Sequence, residues 1–416
     1  GLNAAQREAV LSTEGFVRVI AGAGSGKTRA LTRRVADLVT ELGILPGNLL
    51  CVTFTNKAAN ELKDRLTRMI GGTVGEDVWA MTFHSACCRI LRREIERLGY
   101  SSSFTIYDTS DSQAVVKRIL KEMNLDEKAF PYRAVLTEIS RAKDSGITPE
   151  QYLARAQATH NPRSIRIGEV YQTYWQRLFS AGAMDFDDLI YNTVRLLDEH
   201  EDVREHWQRR FRYVLIDEYQ DTNNLQYQLA ALLADGWGNI CVVGDDDQSI
   251  YKFRGATIEN ILNFEKQYKN ARTIRLEQNY RSTGRILDAA NHVIANNTGR
   301  KGKTLWTKAE AGDPLTLYCA TNENDEARYV ATKIMDDFGH GMNFRDHAVL
   351  YRMNAQSNQL EYAFKRNGIP YRIIGGTRFF DRAEVKDMLA YLCVIQTPGD
   401  DLRLTRIINT PARGIG

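Results

Sequence analysis

Eight residues constrain this chain more than any others: Ala21–Thr28, AGAGSGKT. They follow the apolar run Phe16–Ile20 (FVRVI) and open the amphipathic stretch Thr28–Leu42. There Leu31, Val35, Leu38, Val39 and Leu42 share one helical face, and Gly43 ends it. A buried strand, a glycine turn and a helix in that order leave few folds open. The strand must join a parallel sheet, with the helix packed on its face. Leu49–Thr53 (LLCVT) and Asn56–Ile70 repeat the alternation, and Gly71-Gly72 stops the second helix.

That context is what a phosphate-cradling loop requires. Gly22, Gly24 and Gly26 let backbone N–H groups turn inward around phosphates, and the helix N-terminus adds a partial positive charge. Lys27 can reach the β- and γ-phosphates, and Thr28 offers a hydroxyl to Mg2+. Ala23, Gly24, Ser25, Gly26 and Arg29 complete the nucleotide-binding candidates at the loop. Ala21 stands where the strict pattern begins with Gly. The bland alternative, a chance glycine loop, does not explain GSGKT set between strand and helix.

YVLIDEYQD (Tyr213–Asp221) supplies the other half of such a site. An apolar run carries two carboxylates to a strand's C-terminal end, where ligands sit in open α/β sheets. Asp217 is the Mg2+ candidate, and Glu218 the general base aimed at the attacking water. Alone, the pair also reads as solvated acids at a strand end; Lys27 shifts the balance toward chemistry. GDDDQSIYKFRGA (Gly244–Ala256) follows the strand Ile240–Val243. Gln248 suits a contact to water or γ-phosphate, because an amide both donates and accepts. Tyr251, Phe253 and Arg254 alternate aromatic and basic character, a recipe for single-stranded nucleic acid. An edge-strand core with a surface arginine is the plainer reading. The triple Asp245–Asp247 reads as a solvated loop before a metal site.

With 416 residues there is room for two to four domains. The 55 basic and 52 acidic residues give a net charge of only +3, so any nucleic-acid claim must rest on motifs. Six scattered cysteines form no C-x-x-C pair and read as reduced, buried thiols of a cytoplasmic protein. No apolar stretch approaches a membrane span. From about Ser85 to Arg210 strand signals vanish. Tyr171, Tyr174, Trp175, Leu178 and Phe179 fall at helical spacing, as a core stripe would. Beyond Gln278 a third α/β stretch is expected, with strands at Leu315–Cys319, Ala348–Tyr351 and Tyr371–Ile374. Helices are expected between them, at about Glu326–Phe338 and Ala355–Arg366.

Taken together, the motifs resemble the UvrD, PcrA and Rep group of superfamily 1 DNA helicases. LNAAQREAV, AGAGSGKT, TFTNKAA, TFHS, DFDDL, IDEYQDTN, VGDDDQSIYKFRGA, LEQNYRST and LYRMNAQS occur in that group's order across essentially the whole chain. The resemblance implies two RecA-like parallel-sheet domains of the phosphate-loop NTPase type, carrying helical insertions. It divides the chain into 1–84 and 211–277 (first RecA-like domain), 85–210 (helical insertion), 278–374 (start of the second domain) and 375–416 (start of that domain's insertion). The second domain is expected to be incomplete. The chain opens on Gly1 and stops at PARGIG, so it reads as part of a longer protein.

The resemblance further implies that Gln6 reads the adenine edge, that Tyr280 stacks on adenine, and that Arg281 is an arginine finger. On DNA it implies contacts from Phe54, Thr55, Asn56, His84, Phe186, Arg352 and Asn354, with Tyr251, Phe253 and Arg254 as a stacking pocket. Phe253 stands where the family usually has Trp. Core packing is the alternative for Phe54 and Phe186, and capping for His84. ATP and Mg2+ are the implied cofactors, and single-stranded DNA and single/double-strand junctions the partners. No membrane is implied. The implied activity is ATP-driven 3′–5′ movement with duplex unwinding, in repair or replication. Translocation without unwinding stays open, as does a small-molecule kinase, which would leave Tyr251–Arg254 unexplained.

Overall fold

The computed structural model describes residues 1–252, 255–297, 300, 302–374 and 382–415. The described residues form two compact units, one of Gly1–Gly312 with Leu389–Gly416, the other of Asp313–Met388. The fold is mixed α/β.

The first unit is built on six parallel strands. These are β1 (Phe16–Ala21), β2 (Leu49–Thr53), β3 (Trp79–Thr82), β6 (Tyr213–Ile216), β7 (Ile240–Gly244) and β8 (Arg272–Leu276). A separate two-stranded pairing joins β4 (Thr105–Ile106) to β5 (Ala183–Met184). The sheet order is β3-β2-β6-β7-β1-β8. β1 sits between β7, in register Phe16↔Ile240, and β8, in register Val17↔Arg272. Successive side chains leave a strand on opposite faces, so the buried runs split by alternation. Leu50, Val52, Val214, Ile216, Ile240 and Val242 enter one core. Leu49, Cys51, Tyr213, Leu215, Cys241, Val243, Val17 and Val19 enter the other. Arg18 on β1 is buried on the first face, where Nη1 donates to Ile261 O at 2.7 Å and Nη2 pairs with Glu265.

Helices between β3 and β6 form a further core of Val116, Ile119, Val135, Ile139, Ile167, Val170, Tyr171, Tyr174 and Leu178. Three members of the expected stripe, Tyr171, Tyr174 and Leu178, are buried, while Phe179 stays half exposed and meets Tyr100 edge-on at 4.7 Å. Inside this region Lys143 is fully buried and pairs with Asp185 at 2.7 Å and Asp188 at 2.6 Å. The helix Asp401–Ile407 docks on the same region: Arg403 makes a two-pronged contact with Asp111, and Tyr107 donates to Asp400 at 2.6 Å.

In the second unit the helices Glu323–Gly339 and Ser357–Arg366 pack through Ala327, Ala331, Ile334, Leu360 and Phe364. The three strands expected there are not formed among the described residues. The segments carry the right residue types, but a strand exists only through a ladder with a neighbour. Here Leu317, Leu350 and Ile374 are 88%, 95% and 88% exposed.

Candidate functional site

Parallel strands end on one edge of the sheet, and that edge gathers the candidate residues. The phosphate loop leaves β1, Phe54 and Thr55 follow β2, His84 follows β3, Asp217 and Glu218 follow β6, and Gln248 follows β7. Thr28, Phe54, Thr55, His84, Asp217, Glu218, Gln248, Phe186 and Tyr251 all line one groove of about 1350 Å³.

At the loop itself, Gly24 and Gly26 hold φ of +67° and +83°, backbone that side chains with a Cβ rarely adopt. Gly26 caps the helix Lys27–Thr40. Ser25 Oγ donates to Gly22 O at 2.7 Å and closes the turn. Gln6 lies buried beneath it. Its Nε2 donates to Ser25 O at 2.9 Å, and its Oε1 accepts from Asn3 N in a capping box.

Lys27 Nζ donates to Glu218 Oε2 at 2.9 Å. Burial pushes the Glu218 carboxyl up, but the Lys27 ammonium and the Gln220 amide outweigh it and hold it low. Asp217 has no such partner strength: burial, then the Glu218 charge, raises it to about 6. Glu218 also holds φ of +51°, left-handed backbone uncommon outside glycine. Its N–H donates to Asp217 Oδ1 at 2.9 Å, so the two acids are oriented by one turn.

The segment Asn279–Arg281 lies on the loop. Asn279 Nδ2 donates to Ala23 O at 2.6 Å and Tyr280 N to Gly24 O at 2.9 Å. A Cβ on Gly24 would lie 2.5 Å from Asn279 Nδ2 and 2.8 Å from Arg281 Cβ, so the QNYRS segment can lie on the loop only because the loop's second glycine carries no side chain. Tyr280 is half exposed, its hydroxyl accepting from Asn3 Nδ2 at 2.8 Å. Arg29 lines a neighbouring groove of about 830 Å³ with Arg7, Arg33, Arg65 and Arg68.

Across the groove, His84 and Phe186 meet edge-to-face at 6.0 Å. Burial lowers the His84 ring below its ordinary value. Phe186 and Tyr251 are 47% and 40% exposed, so neither is simply core; Phe54 is half-buried against Phe83. Thr55 and Asn56 are exposed, Thr55 capping the helix Asn56–Ile70. Burial raises two groove carboxyls, Asp144 to about 7 and Asp187 to about 6, which blunts their repulsion of a polyanion. Phe253 and Arg254 lie outside the described residues. Arg352 and Asn354 belong to the second unit, where Gln356 Oε1 accepts from the Arg352 N–H at 3.1 Å and Asn354 opens a 3-10 turn.

The aspartate triple departs from expectation. It is not solvated: Asp245 and Asp246 are buried, and Lys303 Nζ reaches Asp245, Asp246 and Asp247 at 2.6, 2.5 and 2.8 Å. An ammonium on the chain occupies the place a cation would take. Four further residues escaped sequence reasoning: Gln220, Asn279, Arg300 and Lys303. Gln220 and Asn279 stand inside YVLIDEYQD and QNYRS, but no local signal says what they touch. Arg300 and Lys303 carry no motif at all.

Comparison with known proteins identifies the family. The UvrD/REP helicase N-terminal domain model matches residues 2–269, and the UvrD-like helicase C-terminal domain model matches residues 274–416. The chain is 49% identical over 417 residues to the ATP-dependent DNA helicase PcrA of Bacillus subtilis. It is 48% identical over 415 residues to the proteins of that name from Staphylococcus epidermidis and Staphylococcus aureus. Each alignment covers 100% of this chain and 56% of the relative, so the chain spans little more than half the length of the curated relatives it matches. With both domain models matched in order over nearly every residue, the chain belongs to the UvrD/REP helicase family.

Proposed function

We propose that this chain carries the ATP-hydrolysing engine of a DNA helicase that moves 3′–5′ along single-stranded DNA and unwinds duplexes, in repair or replication. One observation carries the reading: a single groove joins Lys27's carboxylate partner and Gln248 to the exposed rings of Phe186 and Tyr251. A kinase for a small molecule has no use for a long groove with aromatic walls. Stacked bases do.

In this reading Lys27 exchanges Glu218 for the β- and γ-phosphates, which frees Glu218 to orient and deprotonate water. Gln248 contacts the γ-phosphate or that water. Arg281 stabilises the charge that develops on the transferred phosphoryl group. Gln6 and Tyr280 recognise adenine; the buried position of Gln6 under the loop requires its amide to exchange Ser25 O for the base. Thr28 and Asp217 are hard oxygen donors lining the same groove, a set that fits Mg2+, which would neutralise phosphate charge when bound. Phe54, Thr55, Asn56, His84, Phe186 and Tyr251 grip single-stranded DNA, with Phe253, Arg254, Arg352 and Asn354 as further contacts. The two RecA-like domains and their insertions follow the divisions given above.

The test is ATP turnover by the natural full-length protein with and without single-stranded DNA, beside strand displacement on tailed duplexes. Stimulated turnover with displacement supports the reading. Stimulated turnover without displacement reduces it to a translocase, and turnover indifferent to DNA refutes it.

A further inference from the structure

The network around Gln248 extends past the residues that the proposed chemistry uses. Gln248 Nε2 donates to Asp245 Oδ2 at 2.5 Å. The Asp245 N–H donates to Gln220 Oε1, and Gln220 Nε2 donates to Glu218 Oε2, both at 2.9 Å. Asp245 is therefore the shared anchor of the sensor amide and the carboxylate loop. It is also the first of three consecutive carboxylates, one oxygen from each of which lies within 4.8 Å of the others. Three like charges so close would drive the turn apart toward water. Lys303 prevents this with contacts to all three, and Arg300 adds a two-pronged pair to Asp247 at 2.7 Å. Arg300 Nη2 also donates to Lys303 O at 2.7 Å, which fixes the lysine's backbone.

Two residues on, the same stretch meets the phosphate loop. A Cβ at Gly22 would lie 2.0 Å from Leu305 Cδ2. Asn279 N donates to Trp306 O at 2.8 Å, so Lys303–Trp306 runs beside the segment that sets Arg281 against Gly24. The lysine thus stands where the Gln248 turn and the Arg281 segment are joined.

We infer that Lys303 is a positioning residue for ATP hydrolysis, acting as the built-in counter-cation that locks Asp245, and through it Gln248, in register with Arg281. The inference rests on the proposed ATPase reading and deepens it. Its ammonium is spent on the three carboxylates, so it acts on the turnover step and not on nucleotide capture.

The experiment uses the natural full-length protein and compares the parent, Lys303→Met, Gln248→Ala and the double variant in DNA-stimulated ATP turnover, with a thermal melt of each. If the parent shows no DNA-stimulated turnover, the functional reading itself fails and Lys303 is not the cause. With an active parent, Lys303→Met lowers kcat at least ~10-fold and moves KM for ATP less than ~2-fold, the signature of a lost transition-state interaction. The double variant is no slower than Gln248→Ala by more than ~2-fold, because both changes break one linkage. A folded Lys303→Met with kcat within ~2-fold of the parent overturns the inference, as does a double variant whose losses multiply. If Lys303→Met does not fold, Lys303→Met with Asp246→Asn and Asp247→Asn removes the excess charge and carries the same expectation and the same overturning result.

Discussion

At the residue scale, the proposed chemistry turns on one ammonium and two acids in different electrostatic states. Lys27 and Glu218 neutralise each other at 2.9 Å, while Asp217 is left to bear its burial. Replacing Lys27 with Ala removes the phosphate contact and the Glu218 partner together; ATP turnover is expected to vanish while single-strand binding stays within ~3-fold, since the groove's rings are untouched. Turnover assays and DNA titration check it. Asp217 gives a pH prediction. Its folded carboxyl sits near 6 against an ordinary 3.8, so the folded protein keeps a proton that the unfolded chain releases in between. Stability from this group is present below about pH 4 and lost as pH rises toward about 6. Asp217→Asn should flatten the melting temperature across that window and raise it by a few degrees near neutrality, yet abolish Mg2+-dependent turnover. An unchanged pH profile contradicts the assignment. The left-handed Glu218 is consistent with strain stored at a working site, of order 1–3 kcal/mol.

At the scale of elements, the buried ion cluster that joins two insertion helices is the sharpest feature. Lys143 stands in the last turn of the helix Tyr132–Asp144 and meets Asp185, the cap of the helix Phe186–Glu199. Burial pulls the Asp185 carboxyl up, but the Lys143 ammonium outweighs it and holds the group below its ordinary value. Removing one partner from such a cluster leaves uncompensated buried charge, so Lys143→Ala should cost ~3–5 kcal/mol in urea unfolding. A loss below ~1 kcal/mol would mean water reaches the acids. The change should also loosen Phe186, the first residue of the second helix. Elements were legible where burial is two-sided. β2, β6 and β7 are mainly apolar runs and β1 is one broken only by Arg18, whereas β3 is only Trp79–Thr82 and β8 mixes exposed arginines with Ile274 and Leu276 on a sheet edge. The runs at 315–319, 348–351 and 371–374 read as strands from composition, but they find no ladder partner among the described residues. Strand propensity is a statement about fit to a neighbour, and the neighbour is not local.

At the scale of the whole molecule, the sheet converts separate motifs into one groove. The glycine loop, the acid pair and Gln248 were readable because each sits in its own short segment after a strand. Lys303 and Asn279 were not, because their meaning is the partner reached over 57 and 256 residues of chain. If the groove couples hydrolysis to DNA, its two ends must fail differently. Phe186→Ala combined with Tyr251→Ala should weaken single-strand binding by roughly 1–3 kcal/mol per lost stack. The basal turnover made by Lys27 and Glu218 should survive. The most direct measurement is therefore ATP turnover of the natural full-length protein against single-stranded DNA concentration, for the parent and this double variant. The groove account predicts strong stimulation in the parent, and a half-saturating DNA concentration at least ~10-fold higher in the variant with DNA-free turnover unchanged. Equal stimulation curves for the two proteins would contradict it.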